Sequence, residues 1–213
     1  MDGVVTLTLD RPAKRNALSI ELRDVISDTL DRLAGEEAVK VVVMTGAGDV
    51  FSAGFDLTEF RVEDADFQQR LWASSDRFHR TCLTFPLPMV AAVNGPALAG
   101  GFDLAVMCDL RVASETARFA HPEQAWSDVV YSPLHDLVGG AVARDLCFTG
   151  RSVSATEALG LGLVSEVVPT AALPSAAGQL AAAIAGAPRP SLTRTKAKAI
   201  ARSGVVVGST LDL

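Results

Sequence analysis

The chain has 213 residues, 49% of them hydrophobic and 21% charged, with a formal net charge of -6 and a mean hydropathy of +0.29. That apolar content is out of reach of a disordered, charge-rich chain, and a chain of this length buries a core without disulfide staples. The acidic balance argues against non-specific binding of nucleic acid, and the apolar runs VKVVVM, PLPMVAAV and SEVVP fall far short of the roughly 20 residues that cross a bilayer.

The N-terminal MDGVVTLTLD has neither a basic n-region nor an apolar h-region, so no export or import signal is expected. Cys82, Cys108 and Cys147 are widely spaced in apolar stretches with no C-x-x-C pair. They are expected as buried thiols in a reducing, cytoplasmic compartment.

From Val4 to Asp10, Val5, Leu7 and Leu9 alternate with Thr6, Thr8 and Asp10, the period of a half-buried strand. RPAKRNALS then reads as a turn. Ser19 is an N-cap for a helix whose Leu22, Val25, Ile26, Leu30 and Leu33 recur at helical spacing, with Gly35 as its stop. VKVVVM (Val39 to Met44) is apolar on every side and predicts a strand covered on both faces. It ends in the glycine-rich loop TGAGDVFSAGFDL.

Residues 64 to 83 carry Phe67, Leu71, Trp72, Phe78 and Leu83 among charges and predict an amphipathic helix or a helix-loop stretch. MVAAV (Met89 to Val93) is a second buried strand, running into a second glycine turn, NGPALAGGFDLAVMCD. LRVAS (Leu110 to Ser114) is a third strand, and the stretch beyond ARFAHPEQ has only weak periodicity. Ser154 to Glu157 is a capping box for a short helix that stops at Gly160 and Gly162. VSEVVP is the last strand signal. Ala171 to Ala185 and Ser191 to Ala201 predict helices parted by Pro188 and Pro190. Strands and helices mixed at short spacing give an α/β fold.

Three chemical readings are excluded by spacing. TGAGDVF opens like a dinucleotide fingerprint, but Phe51 stands at the third glycine position. His121-Pro122-Glu123 has the H-x-E of zinc deaminases without the P-C-x-x-C that completes a ligand set. No G-x-S-x-G elbow is present. His79 and His135 stand alone and are expected as surface or satisfied core residues.

What remains is a pair of glycine turns, Ala53-Gly54-Phe55-Asp56 and Ala99-Gly100-Gly101-Phe102-Asp103, each following a buried strand. Small residues there leave backbone N–H groups uncovered, and two such turns brought together aim two donors at one oxygen, an oxyanion hole. Asp103 lies in an otherwise apolar run and Glu123 follows after a further strand. A carboxylate in apolar surroundings has a raised pKa and is suited to moving protons. The alternative for Asp103 is a carboxylate at a helix N-terminus satisfied by backbone N–H groups.

These residues closely resemble the crotonase superfamily, the enoyl-CoA hydratase/isomerase family. The resemblance runs from Val4 to about Lys198 through LDRPAKRNALS, VVVMTGAGDVFSAGFDL, MVAAVNGPALAGGFDLAVMCDLRVASETARFAHPE and FTGRSVSATEALGLGLVSEVVP. It implies a spiral of β-β-α repeats over residues 1–150 that holds the acyl-CoA site. Residues 151–213 would then be a shortened C-terminal helical region used in oligomerisation, and the assembly a homotrimer or a dimer of trimers. The ligand implied is an acyl-CoA thioester, with coenzyme A part of the substrate and no separate cofactor or metal. Its carbonyl would lie between the N–H groups of Phe55 and Gly100. Ala53, Gly54, Asp56, Leu57 and Gly101 would line the substrate, and Arg11, Lys14 and Arg15 would receive the CoA nucleotide.

Glu123 and Asp103 stand where family hydratases carry two glutamates that hold a water and deliver its proton to Cα. Family isomerases use one, at the position of Glu123. The resemblance thus implies hydration of a 2-enoyl-CoA, with double-bond isomerisation by Glu123 alone, or a non-catalytic acyl-CoA carrier, as alternatives. Four departures bear on the choice. Asp103 is one methylene shorter than Glu. SDVVYSPLHDLVGG replaces a longer glycine-rich run before Thr149-Gly150. Thr58 stands where many members carry a Lys near the CoA phosphates. Most members continue beyond the position of Leu213 into helices that cover the site, so that surface is expected from a subunit neighbour or left open. The acyl pocket wall is expected from residues 60 to 80 and 125 to 140.

Overall fold

The computed structural model describes residues 3–213. Its main sheet has five parallel strands in the order β1 (Val4–Leu9), β2 (Val41–Gly46), β3 (Met89–Val93), β5 (Leu110–Ser114) and β8 (Glu166–Val168). Val4 lies opposite Val41, Val42 opposite Met89, Val90 opposite Leu110 and Val112 opposite Glu166. A smaller sheet joins β4 (Ala97–Leu98) in parallel to β6 (Arg118–Ala120), and β6 in antiparallel to β7 (Val153–Ser154). Chain beyond Gly150 therefore supplies an edge strand to each sheet.

Strands buried on both faces have no reason to alternate apolar with polar, which is why VVVM and MVAAV are apolar throughout. Successive side chains still point to opposite faces. Val42, Met44, Met89, Ala91 and Val93 join a cluster with α1 (Ile20–Gly35), α2 (Ala65–Thr84) and α3 (Gly100–Met107). Val41, Val43, Val90, Ala92 and Val112 pack instead with Leu173, Ala177, Ala181 and Ala185 of α6 (Leu173–Ala185). The three thiols are free and buried.

Helix starts follow their caps. Ser19 accepts from the Leu22 N–H before α1, Asp64 from the Phe67 N–H before α2, and Ser154 from the Glu157 N–H before α5 (Ala155–Gly160). Each cap contributes about 1 kcal/mol. No side chain caps α3, and all eight of its residues are buried.

Two expectations need correction. The second strand begins at Val41, not Val39, because the Val39 N–H closes a turn onto the Glu36 carbonyl. The weakly periodic stretch after residue 125 contains α4 (Ser132–Thr149), broken at Gly139 by φ +75° and ψ 165°. Leu134 and Ala143 are both buried, yet nine residues correspond to about two and a half turns of an unbroken helix and would face opposite ways. The break realigns them and hides the period. α7 (Arg189–Arg202) then pins Lys196 Nζ to Asp109 Oδ1 at 2.6 Å. Residues 203–213 return across the molecule: the Thr210 N–H donates to Asp76 on α2 at 2.7 Å, and the Leu213 carbonyl accepts from the Tyr131 and Ser132 N–H groups at the start of α4.

The two glycine turns meet backbone to backbone. A Cβ on Gly101 would lie 2.4 Å from the Ser52 carbonyl oxygen, and one on Gly54, whose φ is +87°, would lie 2.8 Å from the Leu98 oxygen and 3.1 Å from the Gly100 nitrogen. Gly101→Ala must push the turns apart. Urea unfolding should register a loss of about 1–3 kcal/mol, the usual effect of overpacking, and an unchanged midpoint would disprove this contact.

Candidate active site

Asn16 fixes the first loop. Its buried amide donates to the carbonyls of Ala47 (2.9 Å) and Val50 (2.7 Å) and accepts from the Arg11 N–H (3.0 Å). Ser52 Oγ donates to the Asn16 carbonyl at 2.9 Å and accepts from the Gly54 N–H at 3.2 Å. Behind the loop, the fully buried Arg23 lies 4.3 Å from the Phe55 ring centroid and donates to the Leu18 carbonyl at 2.7 Å. Burial lowers its pKa to about 10, so it stays charged at neutral pH. On the other loop, Ala99 holds φ +51° and ψ -131°, secured by its N–H on the Ala120 carbonyl at 2.9 Å. A non-glycine residue held there stores roughly 1–3 kcal/mol of strain, and it is the residue that turns the chain into α3. The N–H groups of Phe55 and Gly100 donate to no acceptor among the described residues.

Both turns border a cavity of about 370 Å³ whose wall includes Ala53, Phe55, Ala99, Gly100, Asp103 and Glu123. Leu57, Phe60, Trp72, His79, Trp126 and the segment Ser127–Val130 continue the wall, together with Thr210 and Leu211. The expected stretches 60 to 80 and 125 to 140 are there. The C-terminal residues are an addition with no motif to announce them.

Asp103 sits on the first turn of α3 and is 4% exposed. It accepts no hydrogen bond among the described residues, and its Oδ1 is buried without a partner, so it is not a carboxylate satisfied by helix N–H groups. Burial raises its pKa to about 7; the facing His121 opposes the rise and Glu123 adds to it. Glu123 is held on the 3-10 turn Pro122–Ala125, its carbonyl accepting from the Trp126 and Ser127 N–H groups, each at 2.8 Å. The buried His121 joins the two carboxyls. Its Nδ1 donates to Glu123 Oε1 at 2.9 Å and lies 3.8 Å from Asp103 Oδ1. Burial alone would push this imidazole down, but the hydrogen bond to Glu123 and the charges of Asp103 and Glu123 hold it above its ordinary value. Glu123 Oε1 is thereby occupied, and Oε2 is left buried and unpaired.

The CoA-side residues are placed unevenly. Arg11 reaches inward, bonding the Ala17 carbonyl at 2.5 Å and Asp56 Oδ2 at 3.2 Å, whereas Lys14 and Arg15 are exposed. Burial would raise the Asp56 carboxyl, but hydrogen bonds from Thr58 and Arg11 outweigh it and hold the pKa below its usual value. Thr58 is thus a partner of Asp56, donating from its hydroxyl at 2.7 Å. Gly54 and Gly101 lie behind the wall as the contact between turns.

His121 and His79 were both missed as site residues. In the sequence His121 belongs to an H-x-E that lacks the rest of a metal-ligand set; the spacing instead lets the imidazole bond the carboxylate two residues on. His79 also had a signal. Leu71, Ser74, Ser75, Phe78, His79 and Cys82 are the buried residues of α2, a stripe at helical spacing, so His79 belongs to an inward face. His135 is exposed as expected.

Four buried side-chain polar atoms lack a partner among the described residues: His79 Nε2, Asp103 Oδ1, His121 Nε2 and Glu123 Oε2. Native structures carry few such atoms; here His79, Asp103 and Glu123 line one cavity, and His121 is bonded to Glu123.

A doubly covered parallel sheet, a small second sheet and two touching glycine turns beside paired carboxyls define a crotonase-type fold. The chain belongs to the enoyl-CoA hydratase/isomerase family, whose sequence model matches residues 1–204. A Thermus thermophilus relative is 40% identical over 211 residues, covering 95% of this chain and 82% of that protein. The 2,3-dehydroadipyl-CoA hydratase of Escherichia coli is 37% identical over 176 residues, 78% of this chain and 66% of that enzyme. The crystal structure of an enoyl-CoA hydratase from Bacillus anthracis superposes with a TM-score of 0.88 at 32% identity, covering 95% of this chain and 80% of the other. No helix among the described residues is long and apolar enough to cross a membrane.

The raised Asp103 pKa sets a pH dependence of stability. Below about pH 4 its carboxyl is protonated in both folded and unfolded chains; between there and the folded value of about 7 only the unfolded chain ionises, so this group makes stability fall as pH rises. Asp103→Asn, permanently neutral, should therefore melt higher than the parent at pH 8, with the gap narrowing toward pH 4. Melting curves across that range check it, and a gap that widens on acidification would contradict the assignment.

Proposed function

We propose that the protein hydrates a 2-enoyl-CoA to the 3-hydroxyacyl-CoA. The observation that carries this reading is a pair of buried carboxyl oxygens without a partner among the described residues, Asp103 Oδ1 and Glu123 Oε2, on the wall of one cavity that also holds Phe55 and Gly100, whose N–H groups are uncovered.

The thioester oxygen takes the N–H groups of Phe55 and Gly100. As the water oxygen bonds to C3, the π electrons of the C2–C3 bond move toward the thioester and charge collects on that oxygen. Donors fixed in advance strengthen most at that moment, each contributing about 2.7–4 kcal/mol. Glu123 Oε2 takes the proton from the attacking water, since His121 holds the other oxygen in place. The proton is then delivered to C2, which collapses the enolate. Asp103, its carboxyl raised toward neutrality by burial, orients the water. The names of the Escherichia coli and Bacillus anthracis relatives support hydration. Exposed Lys14 and Arg15 suit the polyanionic CoA end, local positive charge on an acidic protein.

Spectroscopy of conjugated thioesters tests the proposal. A 2-enoyl-CoA should lose absorbance with enzyme; Glu123→Gln should slow that by about 100- to 10,000-fold with thioester binding retained, and Asp103→Ala by about a hundredfold. Absorbance gained from a 3-enoyl-CoA and unaffected by Asp103→Ala would instead identify an isomerase acting through Glu123 alone. Binding without turnover of either thioester would identify a carrier.

A further inference from the structure

His79 is 1% exposed and forms part of the cavity wall, yet it has no task in the hydration chemistry. Its Nδ1 lies 2.9 Å from the Ser75 carbonyl oxygen and 3.1 Å from Thr210 Oγ1. A carbonyl only accepts, so Nδ1 carries the proton. In a neutral ring Nε2 is then a bare acceptor, and it is one of the four buried atoms with no partner. Neutrality follows from the surroundings: burial drives the imidazole down to about 4, the Ser75 bond and Asp76 offset part of that, and the charge of Arg23 adds to it.

The rings packed near this imidazole are apolar. Phe55 and Phe78 lie 6.0 and 5.2 Å from the imidazole, centroid to centroid, and Phe60 and Trp72 extend the aromatic surface. A water held at Nε2 would want about two to four polar partners, and these rings offer none. An aliphatic or plain aromatic acyl group would leave the acceptor buried and unpaired, a penalty that a group carrying a donor avoids.

We propose that His79 is a specificity-determining acceptor whose Nε2 takes a hydrogen bond from a hydroxyl on the acyl group, beyond the thioester. The inference rests on the thioester reading above. Phe55 links the two ends of such a substrate, its N–H meeting the thioester oxygen and its ring lying against His79. The preferred substrate class is then a hydroxyl-bearing acyl-CoA with a flat apolar frame.

Binding of saturated thioesters, which have no double bond to react, separates recognition from turnover. Titration calorimetry would compare 3-phenylpropanoyl-CoA with its 3-hydroxyphenyl and 4-hydroxyphenyl counterparts. At least one hydroxylated thioester should bind the parent protein about tenfold tighter or more than the plain one. His79→Phe should bring all three within about twofold of each other, by loss of affinity for the hydroxylated compounds alone, and His79→Gln, which keeps an acceptor, should retain part of the preference. The ¹⁵N resonance of His79 Nε2 in the unaltered protein gives a second reading, shifting with the preferred hydroxylated thioester and not with the plain one. Equal binding of all three thioesters, a preference that survives His79→Phe, or an unmoved resonance would overturn the proposal while leaving the thioester site intact. Failure of all three to bind would overturn the thioester reading and this inference with it.

Discussion

Everything at the site depends on how closely two stretches of backbone approach. Ser52–Phe55 and Ala99–Gly101 are packed so tightly that side-chain atoms on Gly54 or Gly101 would collide with the opposing main chain. Backbone anchored in this way has little room to move, which is what the proposed reaction would require of two donors facing one thioester oxygen. The rest of the fold serves that contact. The covered parallel sheet sets where each turn leaves its strand, Asn16 and Ser52 clamp one loop, and the β4–β6 pairing with the Ala99–Ala120 bond fixes the other.

The second constraint is electrostatic. Two carboxyls and an imidazole lie together with polar atoms buried. Asp103 and His121 face each other and are both displaced upward, so protonation of one governs the other. Such a pair titrates as a unit. It is a poor arrangement for stability and a suitable one for proton transfer near neutral pH.

Sequence reading reached the sheet because fully apolar strands and glycine turns are local signals. That Glu123, Asp103, Phe55 and Gly100 come to border one cavity is legible only through short contiguous motifs and their resemblance to a known family. Sequence reading failed where a property depends on distant chain. α4 was hidden by Gly139, which breaks the period that identifies a helix. His79 was legible as a member of the inward stripe of α2, but nothing local says that the stripe borders a cavity, or that Thr210, far along the chain, would meet its Nδ1. In the sequence Arg11 carries only its charge, and the folded loop reveals Asp56 as its partner.

The last segment of the described chain has a thermodynamic consequence. Thr210 and Leu211 form cavity wall, while Thr210 and Leu213 carry the bonds that tie the segment to α2 and α4. Docking of this segment and occupancy of the cavity are therefore linked equilibria. A ligand that touches Leu211 favours the docked form by the same factor by which docking raises the ligand's affinity. Protection of residues 203–213 against proteolysis becomes a measure of what fills the cavity, at a point on the chain distant from both carboxyls.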